Sequence, residues 1–179
     1  MQPVGDNRVK IRLSIQKGLA NDILLISGGV SVGTYDFVKE ILRKEGVREI
    51  FWKVNIKPGK PIFFGRKNRT LVFGLPGNPV SVFVTFEEFV KPAISKMMGK
   101  NYEREKEKVE GHLTKPFQNG SRLHFVRVRW VKGKKFCKVT PLKGQGSHMI
   151  GSLAASNGIL KVEPNRLLRE NERVSVKII

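Results

Sequence analysis

Two glycine-rich stretches, each set between an apolar run and an amphipathic one, carry the residues best suited to chemistry in this chain. In the first, Ser27, Gly28, Gly29, Ser31 and Gly33 follow the apolar run Ile23–Ile26 and lead into Asp36. A strand feeding such a turn and then a helix exposes backbone N–H groups at the helix start, which suits a phosphate or another oxyanion. The same glycines would equally make a plain tight turn. The second stretch, Gly74-Leu75-Pro76-Gly77-Asn78-Pro79, repeats the arrangement. Asn78 is placed to cap the next helix, and Pro79 to take its first position, where no N–H is needed. Asn78 and Ser81 would also offer polar contacts to a ligand lying across both turns. Lys53, Lys57 and Lys60 sit on the approach to Pro61, and cations near two anion-ready turns suit a ligand with several negative charges. Asp36 is favoured by a helix start in any case. Beside a phosphate its carboxylate would repel, unless a divalent cation lay between them, so it is a candidate Mg²⁺ ligand.

The elements that must position these residues follow from periodicity. Ile23–Ile26 reads as a buried strand and Asp36–Lys44 as a helix with Phe37, Val38, Ile41 and Leu42 on one face. Ile50–Ile56 reads as a strand, Ile62–Gly65 and Thr70–Phe73 as a hairpin turning at Arg66–Arg69. Apolar residues from Val82 to Met97 recur at helical spacing and predict one long helix. At the front, Val9, Ile11, Leu13 and Ile15 alternate, a pattern open to a strand or a helix. Beyond a charged segment, Tyr102–Lys108, the pattern changes to short strands at Leu123–Val131, Phe136–Thr140, Gly158–Glu163 and Arg173–Ile179, with a helical turn expected within Ser147–Ser156. Such spacing predicts a small β-domain or barrel. The boundary is expected near Gly99–Asn101.

The 179 residues, 40% hydrophobic, suffice for one ordinary domain or two small ones. No run approaches the length of a membrane span. Cys137 is the single cysteine, so an internal disulfide framework is excluded and a reducing, cytoplasmic setting is expected. Cys137 reads as packing rather than as a nucleophile, and His112, His124 and His148 lack metal-ligand spacing. The net charge of +19 favours an anionic ligand, yet the charges are scattered and no nucleic-acid-binding motif is present. A nucleic-acid partner therefore rests on charge alone and stands third, behind an enzyme and a non-catalytic binding or scaffold module.

Three long motifs in order, SGGVSVGTYDFVKE (Ser27–Glu40), KPGKPIFFG (Lys57–Gly65) and GLPGNPVSVFVTFEEFVKP (Gly74–Pro92), resemble the molybdopterin molybdenumtransferases, with the C-terminal part of gephyrin as a relative. SRLHFVRVRW (Ser121–Trp130) and GQGSHMIGSLAASNGIL (Gly144–Leu160) extend the resemblance through the tail. It implies an α/β fold: a partial molybdopterin-binding three-layer domain with a mostly parallel sheet over residues 1–100, then a small β-barrel-like domain over 101–179. It implies insertion of molybdate into adenylylated molybdopterin (molybdopterin-AMP), with release of AMP and no covalent protein nucleophile. Asp36, Lys57 and Lys60 would be the catalytic residues, with Asp36 near Mg²⁺. Gly28, Gly29, Ser31 and Gly33, together with Pro76, Asn78, Pro79 and Ser81, would hold the cofactor precursor. The family's N-terminal half has no counterpart here. The expectation is thus a C-terminal fragment, a split-gene product or a decayed copy, partnered by a second copy of itself or by a complementing N-terminal half.

Overall fold

Asn7 opens the first helix: its side chain accepts from the N–H groups of Val9 and Lys10 at 3.0 and 3.1 Å, so α1 runs over Arg8–Gly18. That resolves the alternation at the front. A strand would put Val9, Ile11, Leu13 and Ile15 on one face, whereas the helix turns Ile11 and Ile15 inward and leaves Val9 and Leu13 exposed. The structure, a computed structural model, describes residues 7–28, 35–100 and 107–179. By contacts the chain forms two units, Met1–Val54 with Gly59–Asn78, and Asn55–Pro58 with Pro79–Ile179.

In the first unit, β1 (Ile23–Ser27), β2 (Arg48–Trp52), β4 (Phe63–Lys67) and β5 (Thr70–Leu75) make a sheet ordered β1-β5-β4-β2. Only β1 and β5 are parallel, in register from Ile23↔Leu71 to Ser27↔Leu75. β5 with β4 and β4 with β2 are antiparallel. The expected mostly parallel sheet is therefore wrong. The cause is local: β4 and β5 are joined through Asn68 and Arg69, with Asn68 at φ 51, and so tight a hairpin can only return the strand antiparallel. A parallel partner requires a crossover, which the chain makes once here, from β1 to β5 by way of α2 (Tyr35–Lys44). Ile15 of α1 and Val38, Ile41 and Leu42 of α2 share one core with Leu24, Phe63 and Val72, so both helices cover the same face.

The second unit is the expected β-rich one. It holds β3 (Ile56–Lys57), β6 (Lys108–Leu113), β8 (Leu123–Val131), β9 (Cys137–Pro141), β10 (Gly158–Val162) and β12 (Arg173–Ile178) in the order β10-β12-β6-β9-β8-β3. β10 also pairs with β8, from Gly158↔Val128 to Val162↔His124, which closes the sheet on itself. Leu113, Val126, Val128, Val139, Leu160, Val162 and Val176 fill the interior. β7 (Phe117–Gln118) and β11 (Leu167–Leu168) form a separate short pair. β3 pairs in parallel with the start of β8, through Ile56↔Leu123 and Lys57↔His124, ahead of the stretch from Val128 that pairs with β9.

The single long helix expected over Val82–Met97 is divided. α3 (Pro79–Thr85) widens into a π-helical turn at Phe86–Val90 before α4 (Lys91–Met97), and Lys91 donates to Phe86 O five residues back. Pro92 explains it: without an N–H it cannot bond to Glu88 O, and its ring crowds the preceding turn. α5 (Ile150–Ala154) is the short helix expected within Ser147–Ser156.

Candidate functional site

β1 and β5 run side by side in the same direction, so the two glycine-rich turns leave the sheet at the same edge. Gly28, at φ 78, donates its N–H to Leu75 O at 3.3 Å. A Cβ built on Gly77 would lie 3.7 Å from Gly28 Cα. The turns are thus in backbone contact, at the carboxyl ends of two parallel strands, where ligands of open α/β sheets bind. Pro76 is buried against the strand end, while Gly77 and Asn78 are exposed. Gly29, Ser31 and Gly33 lie outside the described residues. Asp36 is described only by its place as the second residue of α2, in the first turn after the glycine stretch.

Gly28 supplies a test of this turn. No atom approaches its built Cβ, so Gly28→Ala meets no steric barrier, but alanine at φ 78 is strained. Unfolding in urea should show a loss of about 1 kcal/mol. An unchanged midpoint would mean that the turn tolerates a different backbone path.

The lysines are held differently from one another. Lys60 is exposed, with its carbonyl accepting from Val54 N at 2.9 Å, so its backbone is fixed while its side chain reaches solvent. Lys53 takes φ 66 and sets its ammonium 3.9 Å from the Trp52 ring centroid, and Lys39 lies 3.7 Å from the same centroid. Lys57 belongs to the β-rich unit, as do Pro79, the first residue of α3, and Ser81, which is 3% exposed. Ser81 gives its carbonyl to Thr85 Oγ1 at 2.7 Å, which stiffens α3 from within.

The partner of Lys57 across the ladder is a residue that sequence reasoning set aside. His124 is 2% exposed, and its Nδ1 lies 3.2 Å from Asn119 Oδ1. Asn119 Nδ2 donates to the carbonyls of Arg122, Val162 and Glu163, and its Oδ1 accepts from Gly120 N. The oxygen is therefore the acceptor, and His124 Nδ1 carries the ring proton. Burial, together with the positive charges of Lys57, Arg127 and Arg122, pushes the imidazole down to about 4, so it is neutral at physiological pH. Arg122 Nη1 in turn donates to Ile56 O at 3.2 Å, and Leu123 N to Asn55 O at 3.2 Å, which fastens the Lys57 segment to β8.

Arg127 is fully buried, and its partners are neutral: Ser152 Oγ at 2.7 Å, Gly144 O at 2.8 Å and Gly146 O at 3.1 Å. It binds the Gly144–Ser152 segment to the outer face of β8, and burial lowers its pKa. The signal for both residues was present but diluted. Alternation along β8 places His124, Val126 and Val128 inward and Phe125 and Arg127 outward, and here both faces are covered. Among the described residues no group of three His, Cys, Asp or Glu side chains could hold a metal, and no helix is long and apolar enough to cross a membrane.

With this geometry in hand, comparison with known proteins is specific. The family described as "Probable molybdopterin binding domain" matches residues 1–96, and "MoeA C-terminal region (domain IV)" matches residues 110–179. A molybdopterin molybdenumtransferase of Haemophilus influenzae is 37% identical over 147 residues, covering 81% of this chain and 36% of its own. A putative molybdopterin biosynthesis protein of Methanocaldococcus jannaschii is 36% identical over 163 residues, covering 90% of this chain and 37% of its own. Among solved structures, a molybdenum cofactor biosynthesis protein from Pyrococcus furiosus superposes with a TM-score of 0.74 at 31% identity, covering 98% of this chain and 56% of that one. The chain thus spans little more than a third of the length of these curated relatives.

Proposed function

Since the chain belongs to the molybdopterin-binding domain family and is homologous to the molybdopterin molybdenumtransferases, we propose that it supplies the cofactor-binding turns and the C-terminal β-domain of such a transferase. The reaction is insertion of molybdate into adenylylated molybdopterin, with AMP released. One observation carries this reading: the turns after β1 and β5 touch through Gly28 and Gly77 at a shared strand edge. Backbone N–H groups there favour an anion before any side chain acts. Lys57 and Lys60 add positive charge against the phosphates of the cofactor precursor and the molybdate oxyanion, which orients both substrates and stabilises charge as it moves to the leaving AMP. Pro76, Asn78, Pro79 and Ser81 shape the second turn and the start of α3. With Gly29, Ser31 and Gly33 in the first turn, they complete the proposed binding residues.

Asp36, the second residue of α2, is the proposed Mg²⁺ ligand, because that cation is commonly held by one or two carboxylates together with a substrate phosphate. When bound, the cation would polarise the phosphoanhydride. The domain boundary is proposed near residues 99–101, between segments 1–100 and 101–179, and the two family matches at 1–96 and 110–179 support that division. A cytoplasmic setting, and a second copy or a complementing N-terminal half as partner, complete the proposal.

Calorimetry with molybdopterin tests the crevice. Lys60→Ala should weaken binding about tenfold at low salt and leave the unfolding midpoint unchanged, because the exposed side chain contributes charge and not packing. Unchanged affinity at low salt removes Lys60 from the site. A family member that binds the cofactor precursor and releases no AMP in any assembly would favour the scaffold reading instead.

A further inference from the structure

The hairpin between β8 and β9 borders a cleft of about 1120 Å³ that the reading above does not use. Lys132, Lys134, Lys135 and Lys138 line it, against Glu170 as the carboxylate of the same wall. Phe136, also in the lining, is 62% exposed. The ring is nevertheless braced: His112 packs on it with centroids 4.6 Å apart, and His112 Nδ1 lies 2.9 Å from Asn171 O. Gly133 closes the turn by donating to Phe136 O at 3.1 Å, and a Cβ on that glycine would collide with the same oxygen. The turn that presents the lysines and the ring is therefore fixed by the backbone.

We propose that this cleft binds single-stranded nucleic acid, with the lysines neutralising phosphates and Phe136 offering its face to a base. Charge across the whole molecule gave no reason to select such a partner. An exposed, positioned aromatic ring among four lysines does, because unpaired bases stack on such rings while the backbone follows the cations. The concave wall excludes a flat bilayer as the better fit, and a duplex keeps its base faces stacked on one another.

The test is fluorescence anisotropy of the full chain with a labelled oligouridine of about 12 nucleotides. Affinity should fall with salt along a log–log slope of about −2 to −3, as expected when four lysines meet phosphates. The double variant Lys134→Glu/Lys135→Glu should lower affinity more than about tenfold. Phe136→Ser should lower it about tenfold with the salt slope retained. The control Lys10→Glu/Lys17→Glu, on the exposed side of α1, removes the same charge elsewhere and should leave affinity within about twofold. The proposal is overturned by absence of binding at low salt, by an equal loss in the α1 control, or by an unaffected Phe136→Ser variant. Phosphatidylserine vesicles binding in place of the oligonucleotide, with the same losses in the hairpin variants, would overturn it in favour of a membrane.

Discussion

On the proposed Mg²⁺ role, Asp36→Asn should leave the fold intact and cut AMP release roughly 100-fold in the proposed transferase assembly, the several kcal/mol that a bound cation would contribute to charge stabilisation. Asparagine supports a helix start nearly as well as aspartate, so the loss in unfolding free energy should stay near or below ~1 kcal/mol. Binding of the cofactor precursor without magnesium should hold steady or improve, because a carboxylate that repels the phosphate is gone. The measurement is AMP release against magnesium concentration for both forms, with metal-free binding alongside. Coincident magnesium curves of equal height would return Asp36 to an ordinary first-turn residue of α2.

The second large effect is on stability in mild acid. An unfolded His124 takes up its proton near 6.5, while the folded one resists until about 4. Between those values the unfolded chain holds more protons than the folded chain. The stabilisation is therefore complete above pH 6.5 and is lost as pH falls through about 4. The total is about 3 kcal/mol. Carboxylates such as Glu40, Glu45 and Glu172, held below their usual 4.5 by hydrogen bonds and nearby cations, add their own loss of stability from about pH 5 downward, so the histidine is read between pH 7 and 5. Unfolding free energies measured from pH 7 to 5 should slope for the native chain and flatten for His124→Leu. Parallel slopes in the two proteins would falsify the assignment.

What the sequence showed of this fold was whatever is written locally. β8 runs over Leu123–Val131, as nine alternating and β-branched residues predict, and the two glycine turns each follow a strand and precede a helix. Strand direction was misjudged although the information was local, since a hairpin at Asn68 and Arg69 already requires antiparallel neighbours. The division of the Val82–Met97 helix was also local, resting on Pro92 and its missing donor. Other features were illegible for a different reason. β3 is two residues long and has no pattern of its own; it exists because the start of β8, ahead of the β9 ladder that begins at Val128, leaves an edge to pair with. The neutral state of His124 depends on Asn119, Arg122, Arg127 and Lys57 meeting around it, and no window of sequence contains that meeting.

The pairing of Lys57 with His124 also sets an order of events at the ribosome. Lys57 emerges early, but the strand that seats it begins at Leu123, so the lysine has no place to settle until β8 has left the exit tunnel. β8 must then find β10, which emerges later still, before the sheet closes. Such distant pairings are slow to form. A nascent chain halted before residue 123 would therefore carry a finished β4–β5 hairpin while its Lys57 segment still awaited its strand.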